Sequence, residues 1–471
     1  MRTTTQSAAT VVVVSTAAFL AGLDLFIVNI AFPDIRHAFG TADFGAMSWI
    51  LNAYTLVFAA LLNPAGRLGD RYGHRRIFLC GLVVFTLGSA ACGLSGSFVG
   101  LVAARAVQAV GAAMLMPSSL ALLLAAVPAA RRAVAVSTWS AVAAMAAALG
   151  PPVGGFLVEL SWRWIFFVNV PVGLAALVAG WLVLAKTAGT GTGIPDLFGA
   201  LSLIVGVAAL VWALIELPVM GWNSPTVSGA AVGAGGAVAL AVWRSLRHPS
   251  PALDLAAMRV TPMWSSCVAL LMFSAAHGAM LLGGVMLLTT VWGQTPAIAG
   301  LCLSPGPIVV VVVSLSLAGR LIDRLGIGVV AATGAALYAI GIVIWLCTIG
   351  PVPHYFADYL PAQLFTGTGV GLVMPSLSAV TGVALPSYRW GAGSAVTNTA
   401  RQLGMVVGTT ALTMLYQPSI DLAAIRRGWI FVTAAAGGAA LIATVLAVWW
   451  RGATADSREV AEVQYVGSSA D

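Results

Sequence analysis

Apolar residues along this chain come in long runs, without the strict strand or helix periodicity of a half-exposed water-soluble fold. Fourteen such runs lie near 11–32, 46–65, 77–95, 99–127, 133–157, 163–185, 197–217, 227–243, 263–290, 297–318, 327–349, 355–383, 392–416 and 428–450. A membrane-crossing helix needs about 20 mainly apolar residues. Each run therefore predicts one crossing helix, and the chain is expected to be an all-α integral membrane protein. The first run is long and carries Asp24 in its middle, which fits a membrane helix better than a cleaved leader. The pattern divides into a short N-terminal stretch (1–10), a six-helix half (11–187), an inserted pair (194–245), a second six-helix half (260–450) and a polar tail (451–471). The tail lacks apolar periodicity and is expected to be disordered.

Fourteen crossings place both termini on one side, and the basic residues test that arrangement. Sixteen fall on the side of the termini, among them Arg67, Arg71, Arg75, Arg76, Lys186, Arg244, Arg320 and Arg324. Four, Arg36, Arg163, Arg426 and Arg427, fall on the other. Two more, Arg105 and Arg401, sit inside runs and complete the 22 basic residues. Lys and Arg accumulate on the cytoplasmic side of membrane proteins, so both termini are expected to be cytoplasmic.

Composition agrees with lipid as the main solvent. Hydrophobic residues make up 60% of the chain and charged residues 8%, against about 25% charged in a soluble domain. Mean hydropathy is +0.99. The net charge of +7 comes from basic residues in short connections, so it excludes a nucleic-acid partner. The five cysteines all lie in apolar runs without metal-ligand spacing, and no loop carries a paired His or Asp motif. Neither a metal, a cofactor nor an enzymatic activity is expected.

The two halves are copies. "GRLGDRYG" (66–73) recurs as "GRLIDRLG" (319–326), which carries Asp323, and "GAAMLMPSSLALLLAAVP" (111–128) aligns with "GVGLVMPSLSAVTGVALP" (369–386). The offsets, 253 and 258 residues, are nearly equal. Shared composition produces scattered Ala and Gly matches, but not two ordered motifs. Such a pair of six-helix halves is related by an axis along the membrane normal.

Four intramembrane patterns carry chemistry. In "GLDLFIVNIAFPDI" (22–35) Asp24 has small apolar helical neighbours (Ala21, Val28, Ala31), and burial disfavours the charged form of a carboxyl group. It is either a proton carrier or a structural hydrogen-bond partner. In "LVAARAVQAVGAA" (101–113) Arg105 and Gln108 share nearly one face. A charge at that depth costs about 2.5–3.5 kcal/mol on insertion scales, so it seeks a partner, a watered cavity or the surface. "ALGPPVGGFL" (148–157) holds a GxxxG pair, Gly150 and Gly154, which admits close helix approach. Gly155 follows it, and Pro151 and Pro152 remove two backbone donors. "TNTARQLGMVVG" (397–408) sets Asn398, Arg401 and Gln402 on a polar strip unsuited to lipid. His277 is the one histidine well inside a run.

In their order and spacing these motifs resemble the major facilitator superfamily, and within it the drug:proton antiporters with fourteen spans. "GRLGDRYGHRR" resembles the superfamily's signature loop, with His74 where an arginine is more usual. The resemblance implies a gating role for Gly66, Asp70, Arg71, Gly73 and Asp323. It implies proton coupling at Asp24 and Arg105, and an antiporter motif at Gly150, Pro151, Pro152, Gly154 and Gly155. Gln108, Asn398, Arg401 and Gln402 become polar lining of a cavity. It further implies a monomer in the plasma membrane that exchanges a small hydrophobic molecule for protons by alternating access. Within that reading two ranges stay open: drug-like or antibiotic molecules in general, or one native lipid precursor or secondary metabolite.

Overall fold

In the computed structural model the described residues are 4–40, 44–128, 132–186, 189, 194–221, 223–249, 251, 255, 257–385, 390–416 and 420–468. Among them there is no strand. The first half consists of α1 (Thr4–Phe39), α2 (Phe44–Tyr72), α3 (His74–Leu94), α4 (Phe98–Ala126), α5 (Arg132–Leu160) and α6 (Trp164–Val183). The inserted pair is α7 (Leu197–Met220) and α8 (Pro225–Arg247). The second half consists of α9 (Thr261–Val291), α10 (Pro296–Leu325), α11 (Ile327–Thr348), α12 (Tyr355–Ala384), α13 (Trp390–Leu415) and α14 (Leu422–Ser468).

Twelve of these helices are long and apolar enough to cross a membrane among the described residues. The exceptions are α5, whose described apolar part is Met145–Leu160, and α13, whose row of Thr397, Asn398, Thr399, Arg401 and Gln402 dilutes its apolar character. Large apolar side chains stand outward all around the bundle, for example Val99, Trp181, Leu182, Leu441 and Val448. Such a surface is stable against hydrocarbon and not against water.

The internal repeat is visible in how the helices touch. A Cβ added at Gly81 of α3 would stand 3.1 Å from the Gly111 carbonyl oxygen of α4. One added at Gly334 of α11 would stand 3.0 Å from the Gly369 carbonyl oxygen of α12. Both halves therefore build their α3–α4 and α11–α12 pairs on the same glycine-to-backbone approach, at the offsets read from the motifs.

One sequence expectation changes. The 66–73 motif is not an open loop: α2 continues through it to Tyr72, and the reversal is made by Gly73 alone, at φ 94°. Gly326 makes the matching reversal at φ 85°. At such angles any side chain is strained, which is why the motif ends in glycine. At the tail α14 runs on to Ser468. Residues 453–465 contain Ala, Glu, Arg, Gln and Val but no Gly or Pro, and extending an existing helix avoids the cost of a new nucleus.

The inserted pair is tied at one end. Asp196 caps α7 by accepting from the Gly199 amide at 2.8 Å, and it accepts from Nε of Arg244 on α8 at 2.9 Å. Burial pushes its carboxyl up, but the bonds from Arg244 and Gly199 outweigh this and hold it below the usual carboxylate range. A depressed folded-state pKa stabilises above the unfolded value. The tie therefore holds at neutral pH and is lost as pH falls through the lowered value.

Candidate functional site

Halfway along α1, Asp24 is fully buried, and three side chains converge on its carboxylate. Arg105 of α4 is ion-paired to Oδ2 through Nη1. Gln108, one turn further along α4, donates to Oδ1 at 2.7 Å, and Asn169 of α6 donates to the same oxygen at 3.2 Å. Arg105 also donates to Gln108 Oε1 at 2.9 Å and, through Nε, to the Ile50 carbonyl of α2 at 3.2 Å. Its guanidinium lies 4.2 Å from the ring centre of Tyr54. Asn169 reaches Ser89 of α3 at 3.1 Å, so five helices of the first half meet at this one acid.

Spacing explains the convergence. Arg105 and Gln108 are three apart and so neighbours on a helix surface. Gly88 of α3 faces Gln108, where a Cβ would stand 2.7 Å from the Gln108 Cα, so α3 and α4 approach closely enough to seal the network. The apolar surroundings expected of Asp24 are thus supplemented by a polar partner set. Asn169, Ser89 and Tyr54 were not singled out by the sequence. Asn169 lies in "FFVNVPVG" (166–173), where an amide inside an apolar run is the signal that could have found it.

Arg105 has one edge on a small space between the halves. Leu25 and Asn29 of α1 and Leu51 and Thr55 of α2 line it on one side; Gly278 and Leu281 of α9 and Met405 and Thr409 of α13 line it on the other. Beside this space the halves are tied through Asn52 of α2, which bonds to Thr409 and, at 3.2 Å, to Thr410 of α13. Thr399 donates to the Ala59 carbonyl at 3.2 Å, so α2 and α13 meet over about two turns. Along α13, Gln402 is fully buried, and Arg401 lies four residues before Met405. Asn398 donates to the Ser394 carbonyl of its own helix at 2.9 Å.

The Gly-Pro-Pro segment of α5 sits at a three-helix junction. Gly150 faces Phe26 and Gly154 faces Ile27 and Ile30, all on α1. Gly155 faces the Pro296 carbonyl of α10, and Gly300 of α10 faces the Pro151 carbonyl, each so closely that a Cβ would collide. Across the halves, α5 and α10 thus pack backbone to backbone. Gly300→Ala is expected to cost this contact about 1–3 kcal/mol, as overpacking does. Spin labels at the exposed Glu159 and Ile298 should then report a longer mean separation; an unchanged distribution contradicts the packing argument.

At the other end of α2, Asp70 pairs with Nε2 of His74 at 3.2 Å across the Gly73 reversal. Gly69 leaves room for the His74 ring. Arg71 lies over the Tyr72 ring at 5.4 Å, and Arg75 donates to the Trp181 carbonyl of α6 at 2.7 Å. In the second copy Asp323 is exposed on α10.

Comparison with known proteins decides the family. A model described as "Major Facilitator Superfamily" matches residues 14–409. The chain belongs to the Major Facilitator Superfamily. It is 34% identical over 404 residues to the multidrug resistance protein Stp of Mycobacterium tuberculosis (strain CDC 1551 / Oshkosh), covering 84% of this chain and 73% of that one. It is 33% identical over 416 residues to the tetracenomycin C resistance and export protein of Streptomyces glaucescens, covering 86% and 75%. A crystal structure of a POT family transporter in complex with a thioalcohol-conjugated peptide superposes with a TM-score of 0.69 over 93% of this chain and 95% of that one. At 13% identity that likeness speaks for the fold alone. This member of the superfamily is a multi-pass membrane transporter and not an enzyme.

Proposed function

We propose that the transporter exports hydrophobic drug-like or antibiotic molecules in exchange for protons by alternating access. One observation carries the reading: a fully buried carboxylate in mid-helix, Asp24, is paired to an arginine that also borders the space between the halves. Protonation of Asp24 would remove the charge that holds Arg105. The freed guanidinium would then turn toward the space, where it changes what the space binds. Two halves that rock about a midplane site are the general mechanism of such folds. The relatives' names, resistance and export proteins, support the outward direction.

In this reading α5 and α13 cross the membrane as well, giving fourteen spans, and both termini face the cytoplasm of a plasma-membrane monomer. The sixteen-to-four bias of basic residues supports that orientation. Cysteines introduced at Thr5 and Ser457 should resist external labelling in intact cells, and one at Ser224 should react; external labelling at Thr5 or Ser457 would overturn it. Gly66, Asp70, Arg71, Gly73 and Asp323 form the gate in the same reading. Asp70→Asn should abolish cycling while substrate binding in detergent persists, and a normal transport rate in that variant removes the gate role.

The relatives' names span both a multidrug range and a single antibiotic, tetracenomycin C. A proteoliposome assay with an imposed pH gradient and a dye panel tests export and range together. Accumulation of several unrelated dyes against their gradients is expected; accumulation of none, with the chain folded, contradicts the export reading.

A further inference from the structure

The second half holds a polar group that the coupling network leaves unused. At the 253-residue offset, His277 of α9 stands where Asp24 stands in α1. At the 258-residue offset, Gln363 of α12 stands where Arg105 stands in α4. The acid–base pair of the first half therefore has no charge counterpart at the equivalent place. Instead Arg401, the basic residue inside an apolar run of the second half, lies on α13.

Three features of this cluster point to a missing partner. Gln402 is fully buried, and neither its Nε2 nor its Oε1 has a hydrogen bond. The Nε of Arg401 and the Nδ1 of His277 are also buried without one. No carboxylate pairs with Arg401 among the described residues. Buried polar atoms are normally satisfied, so unsatisfied ones call for a ligand or water as partner.

The three residues lie beside residues that line the space between the halves, His277 next to Gly278 in sequence. Arg401 lies four residues before Met405, and Gln402 lies seven before Thr409, so each shares a face with a lining residue. Glycines pull α9 and α13 together here, with a Cβ on Gly278 reaching 3.0 Å from the Met405 carbonyl oxygen. The Arg401 charge acts on His277, and no hydrogen bond joins them. On the other wall, the charge of Arg105 is answered by Asp24. Arg401 has no such carboxylate partner among the described residues.

We propose that Arg401, Gln402 and His277 form an anion subsite that takes a carboxylate or similar monoanionic group of the transported molecule. The substrate class is then an acidic amphiphile: an apolar body against Leu25, Leu281 and Met405, with its anionic head on Arg401. This rests on the reading of the chain as an exporter whose substrate enters the space between the halves. Arginine suits the role because its planar fork matches a carboxylate and it stays charged when buried.

The test uses the purified full chain in detergent and three matched probes: 1-pyrenebutyrate, its methyl ester, and the corresponding pyrenylbutyl trimethylammonium. The wild type should bind the acid about tenfold or more tighter than the ester, the scale of a hydrogen bond to a charged group, and the cation least. Arg401→Gln should erase that preference while keeping the affinity for the ester, and Arg401→Lys should restore part of it. His277→Gln, which retains the arginine, should narrow the preference without erasing it and serves if Arg401→Gln fails to fold. An ester or cation held as tightly as the acid by the wild type overturns the proposal, as does an acid preference that survives Arg401→Gln. Gradient-driven transport of the ester in proteoliposomes tests the export reading separately. Its absence sinks that reading, whereas equal binding of acid and ester with ester transport intact sinks only the anion subsite.

Discussion

Asp24→Asn is expected to abolish proton-driven accumulation of substrate in proteoliposomes while leaving downhill exchange of a neutral substrate. The amide keeps the size of the carboxyl group and can still bond to Gln108 and Asn169, which meet Asp24 in the wild type. What it cannot do is gain and lose a proton. It therefore holds the network permanently in the arrangement the wild type reaches only when protonated. Coupling needs both protonation states, one for each access state, so a single fixed state separates substrate movement from proton movement. Asp24→Glu keeps the titrating group but moves it by one methylene in a packed site, and partial activity with a displaced pH optimum is expected. Accumulation by Asp24→Asn at the wild-type level would move the coupling acid elsewhere.

The second large effect is expected at Arg105. Removing one partner of a buried ion pair leaves the other uncompensated, at a cost of about 3–5 kcal/mol. Arg105→Met should lower the resistance of the detergent-solubilised protein to thermal unfolding by that order. It also removes the bonds to Gln108 and to the Ile50 carbonyl that tie α4 to α2. The double variant Asp24→Asn, Arg105→Met carries no unpaired charge and should be more stable than Arg105→Met alone. Thermal unfolding of the four proteins, read as a double-mutant cycle, checks this. Additive losses would mean that the two groups do not act as a pair.

Much of the framework was legible in the chain itself. Long apolar runs predict the helices, because lipid offers backbone amides no partner and only intact helices satisfy them. The repeated motifs predict two like halves, and the paired glycine contacts Gly81–Gly111 and Gly334–Gly369 bear this out. Asp24 and Arg105 stood out because charge is costly at that depth, and the fold brings them together. Their partners were less visible. Ser89 is small and uncharged and fits an apolar run at little cost, so nothing in composition marks it, whereas the amide of Asn169 in an apolar run was a signal left unread. The role of Gly300 lies in another half of the chain from Pro151, and no periodicity links two residues that meet only after folding. The continuation of α2 through the 66–72 segment was hidden because charged residues in a connection read as a loop, although they are equally at home on a helix beyond the bilayer. Asn398, three residues before Arg401, bonds to its own helix backbone, as short amide side chains do.

The central claim is that Asp24 exchanges its proton as substrate binds. Substrate-induced proton release, measured in weakly buffered detergent solution at controlled pH with a substrate identified by the proteoliposome assay, tests it most directly. The account predicts release from the wild type and none from Asp24→Asn at matched substrate occupancy. Equal release from the two proteins would contradict it.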